Sequence, residues 1–161
     1  MEVGSYSKTP SKTIVNCVAY SHGRRKADVE LTQVHEFLKE DNQFVWIGLH
    51  EPSEEVLQQV QREFGLHDLA VEDAHNAHQR PKVEMYEDSV FIVLRTAQVN
   101  REHHIDFGET HFFVGSNYIV SVRHGSSIST MGILAHGDVS RWAAEDSRWI
   151  TGKELLISIT K

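Results

Sequence analysis

The stretch FVWIGLHEPSEEVLQQVQREFG, Phe44 to Gly65, decides the fold class. Phe44 to Leu49 is a continuous apolar run of strand length, the pattern of a strand covered on both faces. Ser53 is placed to cap a helix, and Glu54 and Glu55 fall in its first turn, where the helix dipole favours anions. Val56, Leu57, Val60 and Phe64 recur at helical spacing as one buried face, and Gly65 supplies the residue that ends it. A buried strand feeding an amphipathic helix is the repeating unit of an α/β sheet.

The flanking sequence extends the pattern. Upstream, Thr13 to Tyr20 is β-branched and apolar, bounded by SHGRRK, and reads as a strand. Leu31, Val34 and Leu38, widened by Phe37, mark a helix over Leu31 to Glu40 that ends at Asp41 and Asn42. Downstream, a second short helix runs from about His67 to Asn76, with Leu69, Val71 and Ala74 as its inner side. It must stop before Pro81, because the residue ahead of a proline is pushed towards extended geometry. Val83 to Tyr86 alternates, Glu87-Asp88 turns, and Val90 to Leu94 is the most apolar stretch of the chain. Glu109 to Val114 and Tyr118 to Arg123 are strands joined by Gly115-Ser116-Asn117, a loop of hairpin length. Helical patterning returns from Ser126, broken at Gly132 and Gly137, and Thr151 is positioned to cap KELLISITK. That last pattern is still running at Lys161, so the chain reads as part of something longer. Residues 1–12 read as a polar lead-in and residues 13–161 as one domain. Interleaved helices and strands followed by an antiparallel meander predict a three-layer α/β/α sandwich around a mixed parallel and antiparallel sheet.

Composition narrows the function. With 23 acidic against 16 basic residues the formal charge is −7, which argues against a nucleic-acid partner, since affinity for a phosphate backbone comes from clustered cations. The one basic cluster, Arg24-Arg25-Lys26, reads as a solvated turn. Cys17, the single cysteine, lies in the apolar run TIVNCVAY and reads as a buried thiol rather than a nucleophile, in keeping with a reducing cytoplasm. Neither a signal-peptide h-region nor a run of about 18 apolar residues occurs in these 161 residues.

No GxSxG, no glycine-rich phosphate loop after a strand and no cysteine–histidine pair with context is present, so the residues do not support an enzyme. Eleven histidines invite a metal reading, but no HExxH, HxH or paired CxxC occurs. His103 and His104 read as a polar loop, and His111 and His124 as lone histidines in or beside strands. The segment AVEDAHNAHQRPKVEMYED, Ala70 to Asp88, is denser. Asp68, Glu72, His75 and His78 follow helical spacing and could form a transition-metal clamp, with a polar outer helix face as the plainer reading.

Two motifs in this region are shared with a known family. FGLHDLAVED (Phe64 to Asp73) and HQRPKVEMYEDSVFIVLR (His78 to Arg95), set after a Trp-Ile strand at Trp46, resemble the cytoplasmic N-terminal domain of CorA-type divalent cation transporters, including ZntB-like zinc transporters. FGETHFFVGSNYIVSVRHG looks like the family's closing strands. The resemblance is strongest from about Phe44 to Gly125. It implies the α/β/α cytoplasmic domain of a homopentameric inner-membrane transporter of magnesium, or of cobalt, nickel or zinc. The stalk helix, two membrane spans and Gly-Met-Asn signature that follow in the family are not in this sequence.

By the same resemblance, Asp73, with Glu72 beside it, matches the family's regulatory metal site, whose remaining acids come from a neighbouring subunit. Magnesium keeps its water and is commonly held through one or two carboxylates. Carboxylates opposed across an interface repel until a cation bridges them, so metal favours a closed assembly. Asp68 departs from the family, replacing a proline, and so does His75, replacing an apolar residue. A soluble binding module that keeps the fold and lacks transport is the alternative. A hydrolase built on His75 and His78 is a third.

Overall fold

A computed structural model describes residues 13–125. The reading of residues 1–12 as a lead-in and the helical reading beyond Ser126 lie outside the described residues. In chain order the elements are β1 (Ile14–Ser21), β2 (Arg24–Asp28), a single 3-10 turn (Leu31–Gln33), α1 (Val34–Lys39), β3 (Gln43–His50), α2 (Glu54–Phe64), α3 (Asp68–Asn76), β4 (Lys82–Tyr86), β5 (Ser89–Val99), β6 (Ile105–Val114) and β7 (Tyr118–Gly125).

The seven strands form one mixed sheet in the order β2-β1-β3-β7-β6-β5-β4. Its single parallel pairing, Val45 to His50 against Tyr118 to Arg123, joins β3 to β7 at the centre. Burial explains why β3 is apolar throughout. Val45, Ile47 and Leu49 face the helices, and Trp46 faces the opposite side, where its indole N–H donates to Ser121 Oγ at 3.2 Å. One core lies between the sheet and α1 to α3, and a second, built on Trp46, Ile92, Phe112 and Ile119, covers the other face. The helices expected over that face fall in residues 126–161, outside the described residues.

Local signals act where they were read. The Ser53 side chain accepts from Val56 N–H at the start of α2, and Leu57, Val60 and Phe64 are buried, each worth about 1.5–3 kcal/mol. Gly65 ends the helix with φ +65°, a conformation that costs other residues roughly 1 kcal/mol. Gly115 opens the β6–β7 hairpin, and any Cβ there would strike the Tyr118 ring.

Three expectations are corrected. Arg24-Arg25-Lys26 is no simple turn but most of β2, which among the described residues is an edge strand paired only with β1, and its charges suit an edge exposed to water. The strands read as Val90 to Leu94 and Glu109 to Val114 are longer: β5 and β6 run on as a hairpin paired as far as Val99 and Ile105, with His103 and His104 in the loop between them as expected. Leu69 does not face inward. It is 57% exposed, and Ala70, Val71 and Ala74 form the buried side of α3.

Candidate functional site

The candidate site is built on α3, which lies between α2 and edge strand β4. The turn Gly65-Leu66 brings His67 to the helix start, where His67 Nδ1 accepts from Leu69 N–H at 3.3 Å. The His67 ring also stacks on Tyr86 of β4 with centroids 4.2 Å apart.

One helix turn on, the two carboxylates singled out by resemblance separate. Glu72 is exposed and lines a groove of about 220 Å3 between α2 and α3, together with Asp68, His75, Glu54 and Gln61. Asp73 turns instead towards β4, where its Oδ2 accepts from Lys82 Nζ at 2.6 Å. The helical spacing of Asp68, Glu72 and His75 is thus realised on one groove, while His78 lies beyond the end of α3 with φ +54°. Among the described residues, no three His, Cys, Asp or Glu side chains converge closely enough to hold a metal ion. The transition-metal clamp, and the hydrolase built on it, therefore lose their geometric basis.

Lys82 is shared. Its ammonium also lies 3.0 Å from Glu84 Oε2, and that oxygen accepts from Tyr86 O–H at 2.9 Å. Lys82, Glu84 and Tyr86 alternate along β4 and so face α3 together. The hydrogen bond to Asp73 raises the Lys82 pKa above its ordinary value, with burial opposing. Glu84 is lowered by its bonds from Lys82 and Tyr86. The Asp73 carboxylate, 27% exposed, accepts from the Lys82 ammonium and so already pairs with a cation. Its hard oxygens suit magnesium chemistry.

A buried polar layer beneath α3 went unread in the sequence. His111 is fully buried and Glu109 nearly so, and His111 Nε2 bonds the Glu109 carboxylate. The same carboxylate oxygen accepts the Gln79 N–H at 3.1 Å, which ties down the segment leaving α3. Burial lowers the His111 pKa, with Glu109 opposing. Beside it, His124 Nε2 lies 2.8 Å from the Ala74 carbonyl and Nδ1 3.1 Å from Glu51 Oε2. Both partners are acceptors, so the ring bridges Glu51 and the last turn of α3. The available signal was Glu-Thr-His within an apolar strand, since positions i and i+2 share a face.

Residues 41–155, more than half of the chain, match the family described as CorA-like Mg2+ transporter protein. The chain belongs to the CorA family. The cobalt/magnesium transport protein CorA of Thermotoga maritima is 45% identical over 62 residues, which cover 37% of this chain and 17% of that protein. The CorA magnesium transporter from Methanocaldococcus jannaschii is similar in structure, with a TM-score of 0.58 and 18% identity, over 90% of this chain and 43% of that one. The ZntB cytoplasmic domain from Vibrio parahaemolyticus gives a TM-score of 0.57 and 10% identity, over 91% of this chain and 56% of that one. At these identities the structural likeness establishes the CorA-type α/β fold with its mixed sheet. The chain spans well under two thirds of each of these relatives. Among the described residues, no helix is long and apolar enough to cross a membrane.

Proposed function

We propose that this chain is the cytoplasmic metal-sensing domain of a CorA-like divalent cation transporter, regulatory rather than enzymatic. On this reading magnesium, or cobalt, nickel or zinc, binds between subunits of a homopentamer anchored in the membrane, and Asp73 supplies the principal carboxylate. The observation that carries the reading is the placement of Asp73, a partly exposed acid on α3 whose oxygen already accepts from a cation. Glu72, one residue earlier, is exposed and lines the groove between α2 and α3; on this reading it meets an adjacent subunit.

The mechanism follows from charge. With a neighbouring subunit's acids opposite Asp73, the interface carries like charges that repel. A hydrated divalent cation between them turns repulsion into attraction and favours the closed assembly. Loss of cytoplasmic cation reverses the balance, and populations shift towards an open gate by the differential affinity of the two states.

The test is Asp73→Ala in the intact transporter, with uptake measured while cytosolic magnesium is raised through the millimolar range. Closure should require markedly more magnesium than in the unmodified protein. Closure at an unchanged concentration would refute the assignment.

A further inference from the structure

We propose that Lys82 is a tethered competitor that sets the cation affinity of Asp73, so that a divalent metal must displace the chain's own ammonium. This inference rests on the reading of Asp73 as a metal-sensing carboxylate.

Three features of the site support it. First, the Lys82 ammonium lies 2.6 Å from Asp73 Oδ2, so a metal binding through that oxygen would have to compete with it. Second, charge at the site is divided. Asp73 and Glu84 carry two negative charges and Lys82 neutralises one of them, so an incoming dication meets a net charge of about −1 where it would otherwise meet about −2. Third, the ammonium has somewhere to go. Glu84 Oε2 lies 3.0 Å away, is held in place by the Tyr86 hydroxyl, and keeps Lys82 paired after it leaves Asp73. The Phe91 ring, with its centroid 5.8 Å from Nζ, adds a second favourable neighbour. Displacement therefore breaks one ion pair of two and requires no backbone movement of β4.

This arrangement gives Lys82 a definite role. A bare Asp73–Glu84 pair would hold cations at low concentration and stay loaded. A lysine fixed nine residues from Asp73 competes at constant effective concentration and moves the response to higher metal levels. Because a partly exposed ion pair is weak, the competition tunes affinity without abolishing it.

The experiment titrates the isotopically labelled 161-residue chain with Mn2+, a hard paramagnetic divalent ion, and follows broadening of the α3 and β4 amide signals. It compares the unmodified chain with Lys82→Gln, Lys82→Arg and Asp73→Asn. Lys82→Gln, which keeps hydrogen-bonding capacity and removes the charge, should bind roughly three- to tenfold more tightly. Lys82→Arg, which keeps the charge, should stay within about twofold of the unmodified chain, a contrast that a merely structural role for Lys82 would not produce. Equal affinity in Lys82→Gln and the unmodified chain overturns the proposal, as does the absence of α3 broadening in both. Asp73→Asn separates the two levels. If it leaves broadening at α3 intact, the assignment of Asp73 fails. If it removes broadening while Lys82→Gln changes nothing, only the competitor role fails.

Discussion

Replacing His111 by leucine tests the buried layer beneath α3. The ring is fully buried and bonds Glu109, itself only 5% exposed, whose other contact is the Gln79 N–H. Leucine is similar in volume, so the cavity contribution is small. Breaking a buried pair by removing one partner costs about 3–5 kcal/mol. One effect offsets this: His111 Nδ1 is buried without a partner, and removing such a group recovers about 1–2 kcal/mol. The net loss is therefore about 1–4 kcal/mol, or a fall in melting temperature of roughly 2–16 °C at about 2–4 °C per kcal/mol. Urea unfolding followed by far-UV circular dichroism reads the midpoint, with an unchanged slope as the check that the native surface is preserved. Adding Glu109→Gln should restore most of the loss, because the amide still accepts from Gln79 and leaves no buried charge. A His111→Leu cost no larger than an ordinary surface change, about 0.5 kcal/mol, would refute the reasoning and place water at Glu109.

Two further outcomes follow from burial and pairing. Burial raises the Glu51 carboxyl, but the Gly125 N–H at 2.7 Å and His124 outweigh it and leave the pKa lowered. Its stabilising contribution is complete above the unfolded value, near 4.3, and lost as pH falls through the folded value, so Glu51→Gln should flatten the acid limb of a stability–pH profile. An unchanged acid limb would remove Glu51 from that role. Burial first, then Glu30 and Asp28, push the Cys17 thiol up to about 11, so iodoacetamide should alkylate it slowly in the native chain and readily in urea. Equal rates in both conditions would contradict its place in the core.

What the sequence disclosed tracks how local each cause is. Ser53, the apolar face of α2 and Gly65 act within one helix, and β3 announces itself because both its faces are covered. The outer β5–β6 hairpin was not read because its apolar residues Val99, Ile105 and Phe107 are exposed, so no burial pattern marks them. Its pairing is fixed instead by register carried outward from Phe91 and Phe113. Edge strand β2 hid for the same reason, since one neighbour and five largely solvated residues leave no apolar signal. At the site, Asp73 was legible only through family resemblance. Its pairing with Lys82 depends on how α3 is rotated over β4, and the exposure of Leu69 shows that apolar spacing alone misjudged that rotation.

The rotation matters because α3 is held differently from its neighbour. Helix α2 is anchored by Leu57, Val60 and Phe64, each worth about 1.5–3 kcal/mol of burial. Helix α3 buries only Ala70, Val71 and Ala74, which amount to far less apolar area. Its position depends on polar straps: the His67–Tyr86 stack at its start, Lys82 on Asp73, His124 on the Ala74 carbonyl, and Glu109 on Gln79 just beyond its end. Apolar burial is indifferent to charge, whereas straps of this kind respond to it directly. In the proposed role, a cation at Asp73 would act on one of the contacts that hold the helix, where opening is least costly to the rest of the fold. Under the proposed metal-sensing role, the weak apolar anchoring of α3 suits it to register a metal ion better than α2, which is locked into the core.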